Sequence, residues 1–152
     1  MIPHKSLLTL LLIFLGSLSL AAQSGLHIGP LFGNRYQNRK DATEVLLRGK
    51  RVKPYKLTLF RSLTLQPQGR EAITLEQLVL KDGQTAIDKE VSLRNGHVYY
   101  AFYQLPMAKG QKRYLFFRNN ALAPTRSQKA DITLIYMEGN ATLNELKQNF
   151  KK

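Results

Sequence analysis

Histidines are the first residues to test for catalysis or metal binding. Beyond the apolar start of the chain there are two, His27 and His97, which lie 70 residues apart. Neither belongs to an HxH or HExxH pattern or has a nearby acidic partner, whereas a zinc site needs three or four ligands at recognisable spacing. We therefore expect no metal site and no cofactor, and we interpret His97 as an ordinary residue at the start of a strand.

Carboxylates are the next candidates, because glycosidases use two of them. The sequence has ten acidic residues, and Asp88 lies close to Glu90 just as Glu71 lies close to Glu76. All four are in charged segments, so we expect solvated side chains without the burial that shifts a catalytic pKa. An envelope glycan or peptide hydrolase stays an alternative, since catalytic carboxylates can be distant in sequence. It would need two carboxylates, or a serine and a histidine, brought together in a cleft, and Asp88 or Glu90 facing His97 across a pocket would support it.

Serine and glycine motifs give no further catalytic signal. The sequence contains no GxSxG, the turn that presents a nucleophilic serine. The segment 29–33 has two glycines but lacks the lysine and the following helix of a phosphate-binding loop. The sequence therefore predicts no catalytic residue.

Basic residues are the conspicuous feature. Lys and Arg number 23 against 10 acidic residues, which gives a formal charge of +13. One dense run covers 48–56, and a second covers 109–129 and contains no acid. If the hairpin ends that carry these runs meet in space, they form one basic patch for an anionic partner. The predicted contacts in the two runs are Arg48, Lys50, Arg51, Lys53, Lys112, Arg113 and Arg118.

Aromatic residues accompany the second basic run. In RYLFFR, Tyr114 and Phe116 fall on one strand face between Lys112 and Arg118. Aromatic rings beside basic side chains can stack on flat groups or on the faces of sugars. We include Tyr114 and Phe116 among the predicted contacts. The alternative is that these rings belong to the core and that the basic ends are only solvated.

The start of the chain has the order of a secretory signal peptide. Lys5 precedes an apolar run of about 14 residues, which small residues close at Ala21 and Ala22. We predict a cleaved signal at 1–22, because a membrane-spanning helix needs about 20 apolar residues. No later segment is predicted to span a membrane, and the chain has no cysteine.

The remaining residues suit one domain. We predict an irregular leading segment at 23–42, then a domain at 43–152. Alternating or apolar runs predict strands, and period-3.6 runs predict helices. The strands are expected at 43–48, 55–65, 97–105, 112–118 and 132–138, with helices at 70–81 and near the C-terminus. We leave 84–93 open between helix and strand.

These elements predict an α+β fold: an antiparallel sheet of four to five strands with two helices packed on one face. Leu57, Leu59, Leu63 and Leu65 are expected to share a face of their strand. Thr142 and Glu145 have the spacing of a capping box at the start of the last helix.

Several stretches carry a resemblance to a known family: GLHIGPLF, TEVLLRGKRVKPYKLTLFRSL, HVYYAFYQLP, RYLFFRNN and ITLIYMEGNATLNELKQNF. In these stretches the chain resembles a domain-of-unknown-function family of short exported proteins from Bacteroidetes. The resemblance implies an exported compartment, periplasmic or secreted, and a fold. It implies no activity and no functional residue.

The sequence thus favours an exported, non-enzymatic domain that binds an anionic polymer or a protein partner of the cell envelope. Nucleic acid is not expected as a partner, because export separates the domain from it. Two alternatives stay open, the hydrolase described above and an interaction subunit that uses an aromatic face of the sheet.

Overall fold

The computed structural model describes residues 25–123 and 129–150, the last of them as backbone only. The predicted signal peptide at 1–22 lies outside these residues. The strands are β1 (Ala42–Arg48), β2 (Leu57–Leu65), β3 (Asp88–Arg94), β4 (His97–Ala108), β5 (Gln111–Asn119) and β6 (Ile132–Gly139). The helices are α1 (Glu71–Gly83) and α2 (Leu143–Phe150). Among the described residues, no helix combines the length and the apolar character needed to cross a membrane.

The strands form one antiparallel sheet in the order β1-β2-β6-β5-β4-β3. The α+β class is confirmed, but the sheet has six strands rather than four to five. The additional strand is β3, which lies in the segment that the sequence left open. All seven of its residues are exposed, so it lacks the apolar face that identifies a strand.

The first face of the sheet is covered by α1 and by the leading segment. Leu75 and Val79 of α1 pack into a cluster with alternate residues of the central strands, including Leu115. Ile28 and Leu31 of the leading segment belong to the same cluster. The end of α1 approaches β4 so closely that a Cβ atom at Gly83 would lie 2.3 Å from the ring of Tyr103.

The second face is covered by α2 and by the turns between β1 and β2. Leu146 of α2 packs with Val52, Phe102 and Met137 in a separate cluster. The predicted capping box is present, since the Thr142 amide donates to the Glu145 carboxylate at 2.8 Å and the Glu145 amide donates to Thr142 Oγ1 at 3.2 Å. These bonds fix the start of a short helix.

The two helices therefore pack on opposite faces, and the prediction of a single covered face is wrong. The reason lies in the central strands, which are apolar on both sides. In β4, Phe102 belongs to the second cluster while its neighbour Tyr103 belongs to the first. Each face then has an apolar surface to bury.

The leucines of β2 also divide between the faces. Leu59, Leu63 and Leu65 lie in the first cluster, whereas Leu57 lies in the second. The pairing of β2 with β6 shifts between Leu57 and Leu59. This irregularity breaks the alternation, so the prediction of one shared face holds for three of the four residues.

Candidate binding groove on the second face

Helix α2 covers only part of the second face and leaves a recess on each side. The recess towards β1 and β2 has a volume of about 250 Å³ and is mainly apolar; Leu47, Val52, Tyr55, Leu57, Phe60, Leu146 and Asn149 line it. The recess towards β3, β4 and β5 has a volume of about 450 Å³ and is aromatic and charged. We call the second recess the aromatic groove; Glu90, Ser92, Tyr99, Tyr100, Phe102, Phe116, Arg118 and Lys147 line it.

The sheet provides the aromatic wall of this groove. Phe102 of β4 is the register partner of Phe116 of β5, and their ring centroids are 5.9 Å apart. Tyr100 meets the ring of Phe116 edge-on, with centroids 5.4 Å apart. Edge-to-face contacts of this kind are favourable because the positive edge of one ring meets the negative face of the other. The wall is therefore held in place before any ligand arrives.

A β-bulge adds a further ring. In the pairing of β3 with β4, Ser92 faces Tyr100 and Leu93 faces Val98, so Tyr99 is an extra residue without a partner. A bulge re-aims side chains, and here it allows the consecutive residues Tyr99 and Tyr100 to line the same groove.

Arg118 is the central cation of the groove. Its guanidinium carbon lies 5.9 Å from the ring centroid of Tyr100 and 5.6 Å from that of Phe116. Its Nε atom is buried and has no hydrogen-bond partner in the described part of the chain. A buried donor without a partner costs about 1–3 kcal/mol. Arg118 thus keeps an unused donor beside an aromatic wall.

Two further cations border the groove. Lys147 of α2 forms an ion pair with Glu90 of β3, and the hydrogen bond that Lys147 donates to Glu90 is the main cause that raises the pKa of Lys147. Arg94 lies over the ring of Tyr99, with its guanidinium carbon 4.3 Å from the centroid. Burial, with a smaller contribution from the charge of Glu90, raises the pKa of Tyr100. At neutral pH the groove therefore contains charged cations and a protonated phenol.

The predicted contact residues separate into three places. Phe116 and Arg118 line the aromatic groove. Tyr114 is fully buried in the second cluster, and its hydroxyl donates to the carbonyl oxygen of Ala141 at 2.6 Å. Its position is therefore in the core, which matches the alternative weighed for these rings.

The remaining predicted cations lie together at one end of the sheet. Lys112 and Leu57 both face Gly139, so the start of β5 lies at the same end as the β1–β2 connection. Three strand spacings, or about 14 Å, separate β1 from β5. We call this surface the basic end; it comprises Arg48, Lys50, Arg51, Lys53, Lys112 and Arg113. Arg118 is at the opposite end of β5 and faces Thr133.

The basic end is only partly engaged by the protein itself. Arg113 Nε donates to the carbonyl oxygen of Pro106 at 2.8 Å, and Lys112 Nζ lies 3.4 Å from that of Asn140. The four cations between 48 and 53 are exposed. Within the described ranges, none of these four forms an ion pair.

Both described histidines have carboxylate partners on α1. His27 Nδ1 lies 2.9 Å from Asp82 Oδ1, and His97 Nδ1 lies 3.0 Å from Glu76 Oε2. Those partners are 55 and 21 residues away in sequence, so neither is among the neighbours of its histidine along the chain. The buried Asp82 also accepts the amides of His27 and Ile28 at 2.7 and 2.9 Å. These contacts tether the leading segment and the start of β4 to α1.

The arrangement that would support the hydrolase alternative, Asp88 or Glu90 facing His97 across a pocket, is not seen among the described residues. Glu90 pairs with Lys147, and His97 pairs with Glu76. No group of three or more potential metal-ligating side chains occurs in 25–123 or 129–150. The arrangement instead offers rings, cations and one unpaired donor, which can bind a ligand without chemical change.

Comparison with known proteins places the chain among its relatives. A family model described as a family of unknown function (DUF6108) matches residues 15–150, a range that includes all six strands and both helices. The chain belongs to the DUF6108 family. This confirms the expected unknown-function family, while the bacterial group and export stay predictions. Beyond DUF6108, no curated protein and no solved structure matches the chain.

Proposed function

We propose that the protein is a non-enzymatic binding domain that recognises an acidic sugar unit of an envelope polymer in the aromatic groove. The observation that carries this proposal is Arg118, whose buried Nε has no partner and whose guanidinium lies against the rings of Tyr100 and Phe116. Because Nε is buried, the Arg118 side chain would have to turn in the groove for a carboxylate to accept from this donor.

The side chains of the groove suit the two parts of such a ligand. The aromatic rings give flat apolar surfaces against which the face of a sugar ring can pack. The planar guanidinium of Arg118 matches the geometry of a carboxylate, and a charge-assisted hydrogen bond is about twice as strong as a neutral one. A recess of about 450 Å³ lies within the range of small-ligand sites.

The basic end supports the same function in a different way. Its cations between 48 and 53 are exposed and form no ion pair within the described chain, so they can attract a polyanion. The range of this attraction becomes shorter as the salt concentration rises. We propose that this surface raises the local concentration of the polymer and that the groove selects the acidic unit. The first contribution is sensitive to salt, and the second, which is partly buried, is less so.

The compartment is part of the proposal. A signal peptide at 1–22 would deliver the domain to the periplasm or the exterior, where anionic envelope polymers are available. The net charge of +13 fits an association with such polymers.

The test measures binding of the purified protein to acidic and neutral oligosaccharides, to anionic lipid vesicles and to a nucleic acid control across a salt series. At about 0.3 M salt the Debye length is shorter than its physiological value of about 8 Å, so long-range attraction between exposed charges is weak. Under these conditions we still expect saturable binding to an acidic oligosaccharide. Arg118→Met is expected to weaken it by at least about tenfold, since hydrogen bonds to charged groups contribute about 1.5–3 kcal/mol.

Lys81→Met is the matched control, because it also removes one positive charge but from an exposed position on α1, at the first face. The control is expected to bind as the unmodified protein does. Equal losses in both variants, or binding to every polyanion that disappears with added salt, would overturn the assignment of the groove. The hypothesis of a protein partner on the aromatic face would then be favoured.

A further inference from the structure

Strand β3 forms one edge of the sheet, and its outer side has no partner strand in the described chain. All seven of its residues are exposed. The apolar side chains of Ile87, Val91 and Leu93, in and just before this strand, are 63%, 41% and 61% exposed. An unpaired edge that also exposes apolar side chains is a template for a further strand.

Some of the usual protections of an edge strand are missing in β3, although four of its seven residues are charged and charge is itself one such protection. Its seven residues contain no proline, and the bulge at this position places the extra residue, Tyr99, in β4. The backbone of β3 is therefore regular over its length. Natural edges are more often shortened, bulged or covered.

The sequence of β3 is complementary to itself. Suppose that a second copy pairs antiparallel with β3 about a twofold axis at Val91. A residue that lies a given number of positions before Val91 then faces the residue that lies the same number of positions after Val91 in the other copy. Asp88 then faces Arg94 of the second copy, and the symmetric contact repeats this pair. Opposite charges directly across a strand pair are stabilising.

Neighbouring registers are less favourable. An axis at Glu90 would set Glu90 against itself, and like charges directly opposite are destabilising. An axis at Ser92 would set Glu90 against Arg94, but Glu90 already pairs with Lys147, and Asp88 and Lys89 would face residues beyond the end of the strand at Arg94. The register about Val91 uses the whole strand and pairs its terminal charges.

We propose that the protein self-associates through β3, with a second copy pairing antiparallel about Val91 so that the two six-stranded sheets become continuous. Val91 faces Ala101 in β4, whose side chain belongs to the first cluster, so the two Val91 side chains meet on the face covered by α1. Glu90 faces Phe102, so the two aromatic grooves open on the shared second face.

Strand β1, the other edge, suits this role less well. An axis at Val45 would place Glu44 against Leu46 and pair no charges. An axis at Leu46 would place Glu44 against Arg48, but Glu44 already accepts the amide of Gly33 at 2.9 Å and forms an ion pair with Arg61. In β3, by contrast, neither Asp88 nor Arg94 is in an ion pair within the described residues, although Arg94 lies over the ring of Tyr99.

The interface consists of one strand pair and its flanking side chains, which is smaller than a standard interface of about 1,200–2,000 Å². We therefore expect a dimer that depends on concentration. Sedimentation of the purified protein over a wide concentration series should show a reversible shift from monomer to dimer.

Single cysteines locate the interface, because the chain has no cysteine of its own. Residues directly opposite in an antiparallel pair have Cβ atoms about 4.5–5.5 Å apart, close to the distance that a disulfide spans. Val91→Cys is expected to form a disulfide-linked dimer under mild oxidation. Val45→Cys is the matched control, since Val45 is 37% exposed on the β1 edge and is expected to cross-link far less.

Charge reversal tests the register. Asp88→Arg and Arg94→Asp, made singly, each set like charges opposite one another and are expected to weaken the dimer. The double variant restores opposite charges and is expected to recover dimerisation. A protein that stays monomeric, cross-linking through Val45→Cys as fast as through Val91→Cys, or a double variant without recovery would each overturn the proposal.

Discussion

The two faces of the sheet bury similar apolar strands but are covered very differently. The first face carries α1, with 13 residues, and the leading segment, which places Ile28 and Leu31 in the core. The second face carries α2, with eight residues, and keeps a recess on either side of it. The first face also has a recess, of about 520 Å³, between the leading segment and α1. We infer that the first face chiefly stabilises the fold, whereas the second sets several aromatic rings beside the unpartnered Nε of Arg118.

Polar contacts, most of them partly buried, reinforce the first face. Arg39 of the leading segment forms ion pairs with Asp41 at 2.8 Å and with Glu71 of α1 at 2.6 Å. The hydrogen bond from Arg39 is the main cause that lowers the pKa of Asp41. Asp82 adds its bonds to the amides of His27 and Ile28. The leading segment is therefore fixed by charge as well as by apolar packing.

Of the substitutions that compare the two faces, Asp82→Ala should cause the largest loss of stability. The change leaves the amides of His27 and Ile28 without their acceptor, and each buried donor without a partner costs about 1–3 kcal/mol. We expect the free energy of unfolding to fall by about 3 kcal/mol, measured by urea denaturation. Gln77→Ala, at an exposed position on the same helix, is the control and should change it by less than about 0.5 kcal/mol. Equal effects would refute the role given to the first face.

Replacing Tyr114 by phenylalanine should have a smaller effect, on the second face. It removes the 2.6 Å hydrogen bond to Ala141, the residue between β6 and α2, while keeping the ring in the core. We expect a loss of about 1 kcal/mol in the same urea measurement, since a typical hydrogen bond contributes about 0.5–1.5 kcal/mol. Tyr55→Phe, whose ring is largely exposed, should be neutral. A loss larger than that of Asp82→Ala would reverse the ranking of the faces.

The sequence predicts elements where the hydrophobic pattern is strong. Strands β2, β4, β5 and β6 and helix α1 are found close to their positions because their apolar residues recur at strand or helix spacing. Strand β3 is not predicted, because its residues are exposed on both sides and are mostly polar or charged. The side on which each helix packs is also missed, since the central strands are apolar on both faces and periodicity alone does not choose between them.

The candidate site is predicted in part, for similar reasons. Phe116 and Arg118 are recognised because they lie two residues apart in an alternating strand and so share one of its faces. Tyr99 and Tyr100 line the groove together because of a β-bulge at Tyr99. In a regular strand two consecutive residues would point to opposite faces, so the alternation of the sequence does not predict this. The histidine–carboxylate pairs are missed because each joins segments that are distant along the chain. The one available signal was the doubly apolar stretch around Tyr100, which indicated a strand with both faces in use.

The start of α2 gives the smallest and most specific test of the second face. The ion pair with Lys56 and the amide of Thr142 lower the pKa of Glu145 from 4.5 to about 2. Because the pKa in the folded state is below the ordinary value, the carboxylate stabilises the fold fully above about pH 5 and loses this contribution as the pH falls towards 2.

Glu145→Gln removes that titration while keeping the size of the side chain. We expect the unmodified protein to have the higher urea midpoint at pH 7 and the difference to disappear as the pH falls from about 5 to about 2. Glu138→Gln, at the end of β6, is a control in which the same pH dependence should remain. A difference between the protein and Glu145→Gln that stays constant down to pH 2 would mean that the carboxylate of Glu145 does not hold α2 in place, and that packing of Leu146 alone keeps this helix on the second face.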